Sequence, residues 1–219
     1  MKRAHPSPDT IFNQRQAWDA EYEAKGPLWG NIPLEPTTPN KQGLFVDLGC
    51  GNGKNLLKYH HDATKIGLDF SMQALYLCRK RNELSDVTLI CADVKSLPFQ
   101  DSCIHHIDAH HLLGHLLLQE RMHAAQEISR VLIPGGDLVV TVFATKDFRY
   151  RCGREVEDRT FMRGNGIITH YFSENEIISL FPDLTLQTIK ESSWIMRVRE
   201  RKFQRCVWVI QFTKRELKA

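Results

Sequence analysis

Three glycines at positions 49, 51 and 53, inside Phe-Val-Asp-Leu-Gly-Cys-Gly-Asn-Gly (45–53), and two downstream acids, Asp69 and Asp93, are the residues whose types and spacing carry chemistry. Glycines that follow an apolar run let the backbone turn sharply and let a ligand approach main-chain atoms with no Cβ in the way. Asp69 closes the next apolar run, Lys-Ile-Gly-Leu-Asp, about 20 residues beyond the first, where a carboxylate can accept both hydroxyls of a ribose. The combination describes a nucleotide-type cofactor site. A dinucleotide fingerprint is excluded, because it reads G-x-G-x-x-G and the run here is G-x-G-x-G. A triphosphate loop is excluded too: Leu48 stands where its first glycine belongs, and Asn55, not Ser or Thr, follows Lys54.

Val46-Asp-Leu-Gly-Cys-Gly-Asn-Gly resembles the first motif of class I S-adenosylmethionine (SAM) methyltransferases, and three further stretches resemble that family in its order. They are Asp69-Phe70, then Cys91-Ala-Asp93-Val94 followed by Leu97-Pro-Phe, then Arg130-Val-Leu-Ile-Pro-Gly-Gly-Asp-Leu-Val-Val, together spanning about residues 44–143. The resemblance implies SAM as cofactor and S-adenosylhomocysteine as product. It implies that Asp69 binds the ribose, that Phe70 and Val94 flank the adenine, that Asp93 accepts from the adenine amino group, and that Ala109 and His110 pack on the adenosine or methionine portion. Asp47 is a carboxylate inside a strand, costly unless paired, and is expected to take hydrogen bonds from the glycine loop or a water near the sulfonium. Cys50 and Gly51 are expected to present their backbone to the cofactor.

Methyl transfer from a sulfonium needs in-line placement, exclusion of water and a deprotonated nucleophile; only the last calls for a base. Ile-His-His-Ile-Asp-Ala-His-His-Leu-Leu-Gly-His offers five histidines between 104 and 115. Alternation puts His105 and His106 on opposite faces of a strand, whereas His110 and His111 lie at its carboxyl end and are the candidate bases or cofactor-packing residues. His111 and His115 are four apart, the spacing of a metal pair on a helix, but no acid or thiol stands at matching spacing and no metal is expected.

Behind these residues must stand a scaffold that delivers them to one rim. Apolar, β-branched runs at 44–48, 65–69, 87–91, 104–109, 138–143, 184–192 and 205–213 read as strands, with helical patterns between most of them. That alternation predicts a doubly wound α/β fold, a mostly parallel seven-stranded sheet whose last two strands pair as an antiparallel C-terminal hairpin. Ligands in such sheets sit beyond the carboxyl ends of the strands. Ser71 is placed to cap a helix, and Ser173-Glu-Asn-Glu176 has capping-box spacing.

At 219 residues and 42% hydrophobic content, residues 1–219 are expected to form a single domain. Six scattered cysteines without a C-x-x-C pair, and no apolar leader or membrane-length run, point to a cytoplasmic chain with no membrane partner; oligomeric state is left open. A net charge of +3 is too mild to demand nucleic acid.

The acceptor must be set outside the core motifs. Residues 1–40 carry Trp18 and Tyr22 on one helical face, followed by Gly26-Pro-Leu-Trp29, which resembles the opening of thiopurine- and tellurite-resistance-type enzymes, where such a helix lids the cofactor. Residues 144–172 read as a long, aromatic, substrate-side loop with Arg149, Arg151, Arg154 and Arg159 available for an anionic acceptor. A small-molecule acceptor is therefore the leading expectation. The alternatives are a tRNA wobble-uridine methyltransferase, suggested by Gly-Asn-Gly-Lys, Leu-Pro-Phe and the basic, aromatic stretch Trp194 to Trp208, and a non-catalytic SAM-binding partner subunit.

Overall fold

The structure is a computed structural model and describes residues 14–28, 43–59, 63–198 and 200–216. In chain order the elements are α1 (Gln14–Lys25), β1 (Leu44–Leu48), β2 (Thr64–Asp69), α2 (Met72–Arg79), β3 (Thr88–Cys91), β4 (Ile104–His110), α3 (Leu118–Val131), β5 (Leu132–Phe143), β6 (Arg154–Glu157), β7 (Thr160–Met162), β8 (Ile168–His170), α4 (Glu174–Ser179), β9 (Leu184–Val198) and β10 (Arg201–Lys214). One seven-stranded sheet runs β3-β2-β1-β4-β5-β10-β9, parallel from β3 to β5 and antiparallel through β10 and β9. The expected doubly wound sheet with its antiparallel hairpin is what forms. The order in which strands are added to the sheet reverses between β1 and β4, so the crevice above those parallel strands is the place for a ligand.

The core lies between this sheet and its helices. Val46, Leu48, Ile107 and Val140 in the central strands have no exposed surface, while Ala124 and Ile128 of α3 close one face. Each such aliphatic side chain contributes about 1.5–3 kcal/mol by leaving water. β5 begins six residues earlier than its apolar pattern suggests, because Pro134-Gly-Gly is absorbed as an irregularity between the pairs Ile104–Leu132 and His106–Asp137. A Cβ on Gly136 would meet the Ile133 carbonyl oxygen at 2.9 Å, so the bend needs glycine.

Local signals explain the helix ends. Gly26, at φ +68°, ends α1 by donating its N–H to the Tyr22 carbonyl at 2.8 Å. Ser71 caps α2 as expected, accepting from the Ala74 N–H at 3.0 Å, and also donates to Asp19 of α1 at 2.6 Å. The capping box at Ser173 does not form. Ser173 makes no side-chain cap bond, and Glu176 instead bonds His170 (2.8 Å) and Arg159 (2.9 Å).

Residues 144–172 are not an unpatterned loop. After a turn at Ala144–Asp147 they form the three-stranded antiparallel sheet β6-β7-β8, with Phe161, Ile167, Ile168 and Phe172 buried. Strands of three or four residues are too short to show a two-residue period. Trp29 and the rest of 29–42, and Arg199, lie outside the described residues.

Candidate functional site

The carboxyl ends of β1, β2, β3 and β4 surround a cavity of about 300 Å³, at the small end of the range for ligand sites. Gly49, Asp69, Phe70, Asp93, Val94, His110 and His111 line it from the rim, and Trp18 and Tyr22 line it from α1. Asp47, Cys50, Gly51 and Ala109 do not reach the wall. α1 is tied on both sides of the opening. Asp19 accepts from Ser71 and from the Gln73 N–H (3.2 Å), while Gln14 donates to the Gly166 carbonyl (2.9 Å) and accepts from the Ile168 N–H (3.1 Å). The helix therefore bridges α2 and the small sheet, with Trp18 edge-on to His115 at 4.8 Å.

The glycine loop is shaped by contact as well as by conformation. Gly51 has φ +55°, and a Cβ there would stand 2.5 Å from the Tyr22 hydroxyl. Its N–H donates to Asp69 Oδ2 at 2.9 Å, and the Ser71 N–H donates to Oδ1 at 2.9 Å. Two amides thus orient the carboxylate and leave its remaining lone pairs for hydroxyl donors. Burial pushes the Asp69 carboxyl up to about 6, the two amides offsetting part of that cost and Asp19 adding to it. Asp93 is turned locally, accepting from the Lys95 N–H at 2.9 Å with the Lys95 ammonium 3.4 Å away.

Asp47 differs from expectation. Both its oxygens are buried without a hydrogen-bond partner, because the loop amides go elsewhere: Gly49 and Cys50 to the Leu68 carbonyl, Gly51 to Asp69, Gly53 to the Cys50 carbonyl. Burial, reinforced by Asp108 in register on β4, holds its carboxyl well above the usual range and favours the neutral form. Asp108 carries the charge instead. Burial alone would raise it, but His106 (3.0 Å), then His110 (3.4 Å) and the ammonium of Lys58 (2.5 Å) hold it well below the carboxylate range, with the Tyr59 hydroxyl donating at 2.7 Å. Lys58 arrives from the 3-10 turn Asn55–Lys58 directly after the glycine loop.

This network decides the state of His110. The Lys58 ammonium, a donor only, stands 3.0 Å from His110 Nε2, which must therefore accept; the proton lies on Nδ1, 2.9 Å from Thr141 Oγ1. Burial holds the ring below its ordinary value and neutral at pH 7 against the opposing pull of the Asp108 carboxylate, 3.4 Å from Nε2, with the Lys58 charge adding to the lowering. With both nitrogens engaged by the protein, His110 forms a wall and has no lone pair for an acceptor proton. His111 takes a left-handed backbone (φ +60°) that turns its ring onto Phe143, stacked at 4.4 Å. Burial holds it well below the ordinary histidine value, neutral at pH 7. His115 shares no helical face with it. Its Nδ1 donates to the Ile168 carbonyl, 2.6 Å away, so Nδ1 carries the proton, and burial brings it down to about 4.

Residues 46–140 match a family described as a methyltransferase domain. In fold the chain is similar to the SAM-dependent methyltransferase of Methanosarcina mazei, with a TM-score of 0.69 and 21% identity over 85% of this chain and 100% of that one. Residues 46–140 form a methyltransferase domain, and the fold is that of SAM-dependent methyltransferases. The chain is 34% identical over 105 residues to the Mus musculus tRNA (carboxymethyluridine(34)-5-O)-methyltransferase ALKBH8, covering 46% of this chain and 15% of that protein. The chain is 26% identical over 221 aligned positions to the Drosophila melanogaster tRNA N(3)-methylcytidine methyltransferase Mettl2, covering 91% of this chain and 65% of that protein. In both cases the chain spans less than two thirds of the relative's length.

These relatives overturn the expectation of a small-molecule acceptor, which rested on the aromatic N-terminal segment and on residues 144–172; the relatives named here are tRNA methyltransferases. Those aromatics serve to hold α1 across the methyltransferase cavity. Sequence reasoning missed the Lys58–Asp108–Tyr59 network and the grip of Gln14 on the small sheet. A lysine five residues beyond the last glycine and an aspartate two before His110 were visible, but their contact depends on a turn with no periodic signature. Among the described residues no helix is long and apolar enough to cross a membrane.

Proposed function

We propose that this chain transfers a methyl group from SAM to a nucleotide of tRNA. One observation carries the choice of acceptor. β5 ends at Phe143, paired with Val207, on the same rim as His110, which pairs with Thr141. Beyond it, residues 201–206 of β10 pair in the ladder only with 193–198 of β9, so a two-stranded arm rises past the rim beside the cavity. The arm exposes Trp194 (46%) and Ile195 (56%), with Arg197, Arg201 and Lys202 also exposed. Aromatic faces beside cations are what single-stranded nucleic acid needs, each stacked base contributing about 1–3 kcal/mol. Arg205 is not part of that face. It is buried, bonded to Asp147 at 2.7 Å, and fastens the arm to the turn after β5.

The cavity fits the cofactor that the domain implies. Asp69 is preset by two amides for ribose hydroxyls, Phe70 and Val94 flank the place for adenine with Asp93 at its edge, and Gly49, His110, Trp18 and Tyr22 enclose the remainder. The cofactor supplies an activated sulfonium methyl with a neutral leaving group. What the chain adds is alignment and exclusion of water, through α1 above and the neutral His110 wall below. His111, neutral and turned toward the arm side of the cavity, is the group placed to take a proton from an acceptor nitrogen.

The proposal is tested by tRNA binding as a function of salt. Wild type is expected to bind with a log–log slope that falls by about 2 when Arg197, Arg201 and Lys202 are replaced by Ala, and to lose about tenfold in affinity on Trp194→Ala. Binding and slope unchanged in all variants would reject the arm as the RNA contact.

A further inference from the structure

The Lys58 side chain is 1% exposed and does not reach the cavity wall. Its ammonium lies 2.5 Å from Asp108 Oδ2 and 3.0 Å from His110 Nε2, and His110 does line the cavity. Asp108 is held from behind by the Tyr59 hydroxyl (2.7 Å) and His106 (3.0 Å), while the other His110 nitrogen meets Thr141 Oγ1 at 2.9 Å, its register partner on β5. The contacts therefore run from a buried ion pair, through one imidazole, to the space where a ligand sits. Burying an ammonium and a carboxylate costs about as much as their attraction returns, and an apolar pair would hold the turn against β4 as well, so stability alone does not account for this lysine.

What the lysine controls is the charge of the wall. Asp108 Oδ2 is 3.4 Å from His110 Nε2, and a carboxylate so near an imidazole draws a proton onto it. Lys58 opposes this twice, by neutralising Asp108 and by aiming a donor at Nε2, so that nitrogen accepts and the ring keeps one proton, on Nδ1. The charged and titratable groups about the ring are Lys58, Asp108 and His106, with His111 next in the chain; β5 presents the uncharged Thr141, and Arg15, Asp69 and Lys95 stand elsewhere on the cavity wall. The state of the ring matters because methyl donor and product differ by one charge, a sulfonium against a neutral thioether. A cavity of about 300 Å³ keeps most of its contents within a Debye length, about 8 Å, of any charge on its wall. An imidazolium there would disfavour the sulfonium and spare the thioether.

We propose that Lys58 is a positioning residue for methyl transfer: by occupying His110 Nε2 and neutralising Asp108 it keeps the cavity wall uncharged, and so sets the preference of the site for the sulfonium donor over its thioether product. This rests on the cofactor reading above. Calorimetric titration of the full chain with SAM and with S-adenosylhomocysteine at pH 7.5, where Asp69 is ionised, gives the ratio of the two affinities. Lys58→Met leaves Asp108 to draw a proton onto Nε2, and the ratio is expected to shift about fivefold against SAM. Lys58→Met/Asp108→Asn removes the carboxylate as well and is expected to restore the wild-type ratio, even where both affinities are weaker. A lysine that serves only the fold would lower both affinities alike. Nitrogen-15 shifts of histidine-labelled protein are expected to show His110 singly protonated on Nδ1 in wild type and doubly protonated in Lys58→Met. A ratio unchanged or shifted toward SAM in Lys58→Met overturns the proposal, as does a wild-type spectrum with the proton on Nε2 or on both nitrogens; that spectrum decides the matter even where Lys58→Met does not fold. Wild type that binds neither ligand rejects the cofactor reading together with the proposal, whereas wild type that binds both, at a ratio Lys58 does not move, rejects the proposal alone.

Discussion

Cofactor affinity should depend on pH through Asp69. Its carboxyl sits at about 6 because burial outweighs the two amides that support the anion. Ribose hydroxyls donate to the ionised form, so the apparent dissociation constant scales as 1 + 10^(6 − pH), a factor near unity at pH 7.5 and about 11 at pH 5, or ~1.4 kcal/mol. Replacing the carboxylate removes charge-assisted hydrogen bonds as well. Asp69→Asn is expected to weaken binding at pH 7.5 by about 2–4 kcal/mol, roughly 30- to 1,000-fold, and to flatten the dependence between pH 5 and 7.5. Isothermal titration with S-adenosylhomocysteine across that range measures both effects. His115, at about 4, stays neutral there and does not confuse the reading. Equal affinity at pH 5 and 7.5 in wild type, or the wild-type slope persisting in Asp69→Asn, would refute the ribose assignment.

Three further outcomes follow from named contacts. His115 is near 6.5 when unfolded and about 4 when folded, so its share of stability is complete above pH 6.5 and is lost as pH falls toward 4; urea titrations at pH 7.5 and 4.5 should show wild type losing about 2.5 kcal/mol more than His115→Gln. Gly51→Ala sets a Cβ at 2.5 Å from the Tyr22 hydroxyl and should cost about 1–3 kcal/mol in thermal stability, part of it recovered in Gly51→Ala/Tyr22→Phe; a purely additive double variant would dismiss the contact. Lys58→Met strands the Asp108 charge and should destabilise by about 3–5 kcal/mol, whereas Lys58→Met/Asp108→Asn should lose less, by denaturant melts; equal losses would mean that the pair is not coupled.

The parallel half of the fold was legible because buried parallel strands read as unbroken apolar runs, and the glycines and acids stand where those runs end. Phe45–Leu48, Ile66–Asp69 and Ile104–His110 announce both strand and rim. What stayed hidden depends on contacts between distant segments. The small sheet has strands of three or four residues whose burial comes from packing against Phe143 and α1, and no local pattern encodes that. The state of Asp47 stays hidden for a similar reason: its neighbour in space, Asp108, is 61 residues away, and pairing across β1 and β4 raises one carboxyl while the partners of the other lower it. His110 looked like a base from its position at a strand end. Only the reach of Lys58 reveals that its nitrogens are already committed.

The most direct test of the central claim is transfer of radiolabelled methyl from SAM to total tRNA, followed by digestion to nucleosides and chromatography. Label recovered in a single modified nucleoside, and lost when Asp69 is replaced by Asn, is the expected result. Unlabelled tRNA in a reaction where a thiol, amine or acid of low molecular weight takes up the methyl group would contradict it.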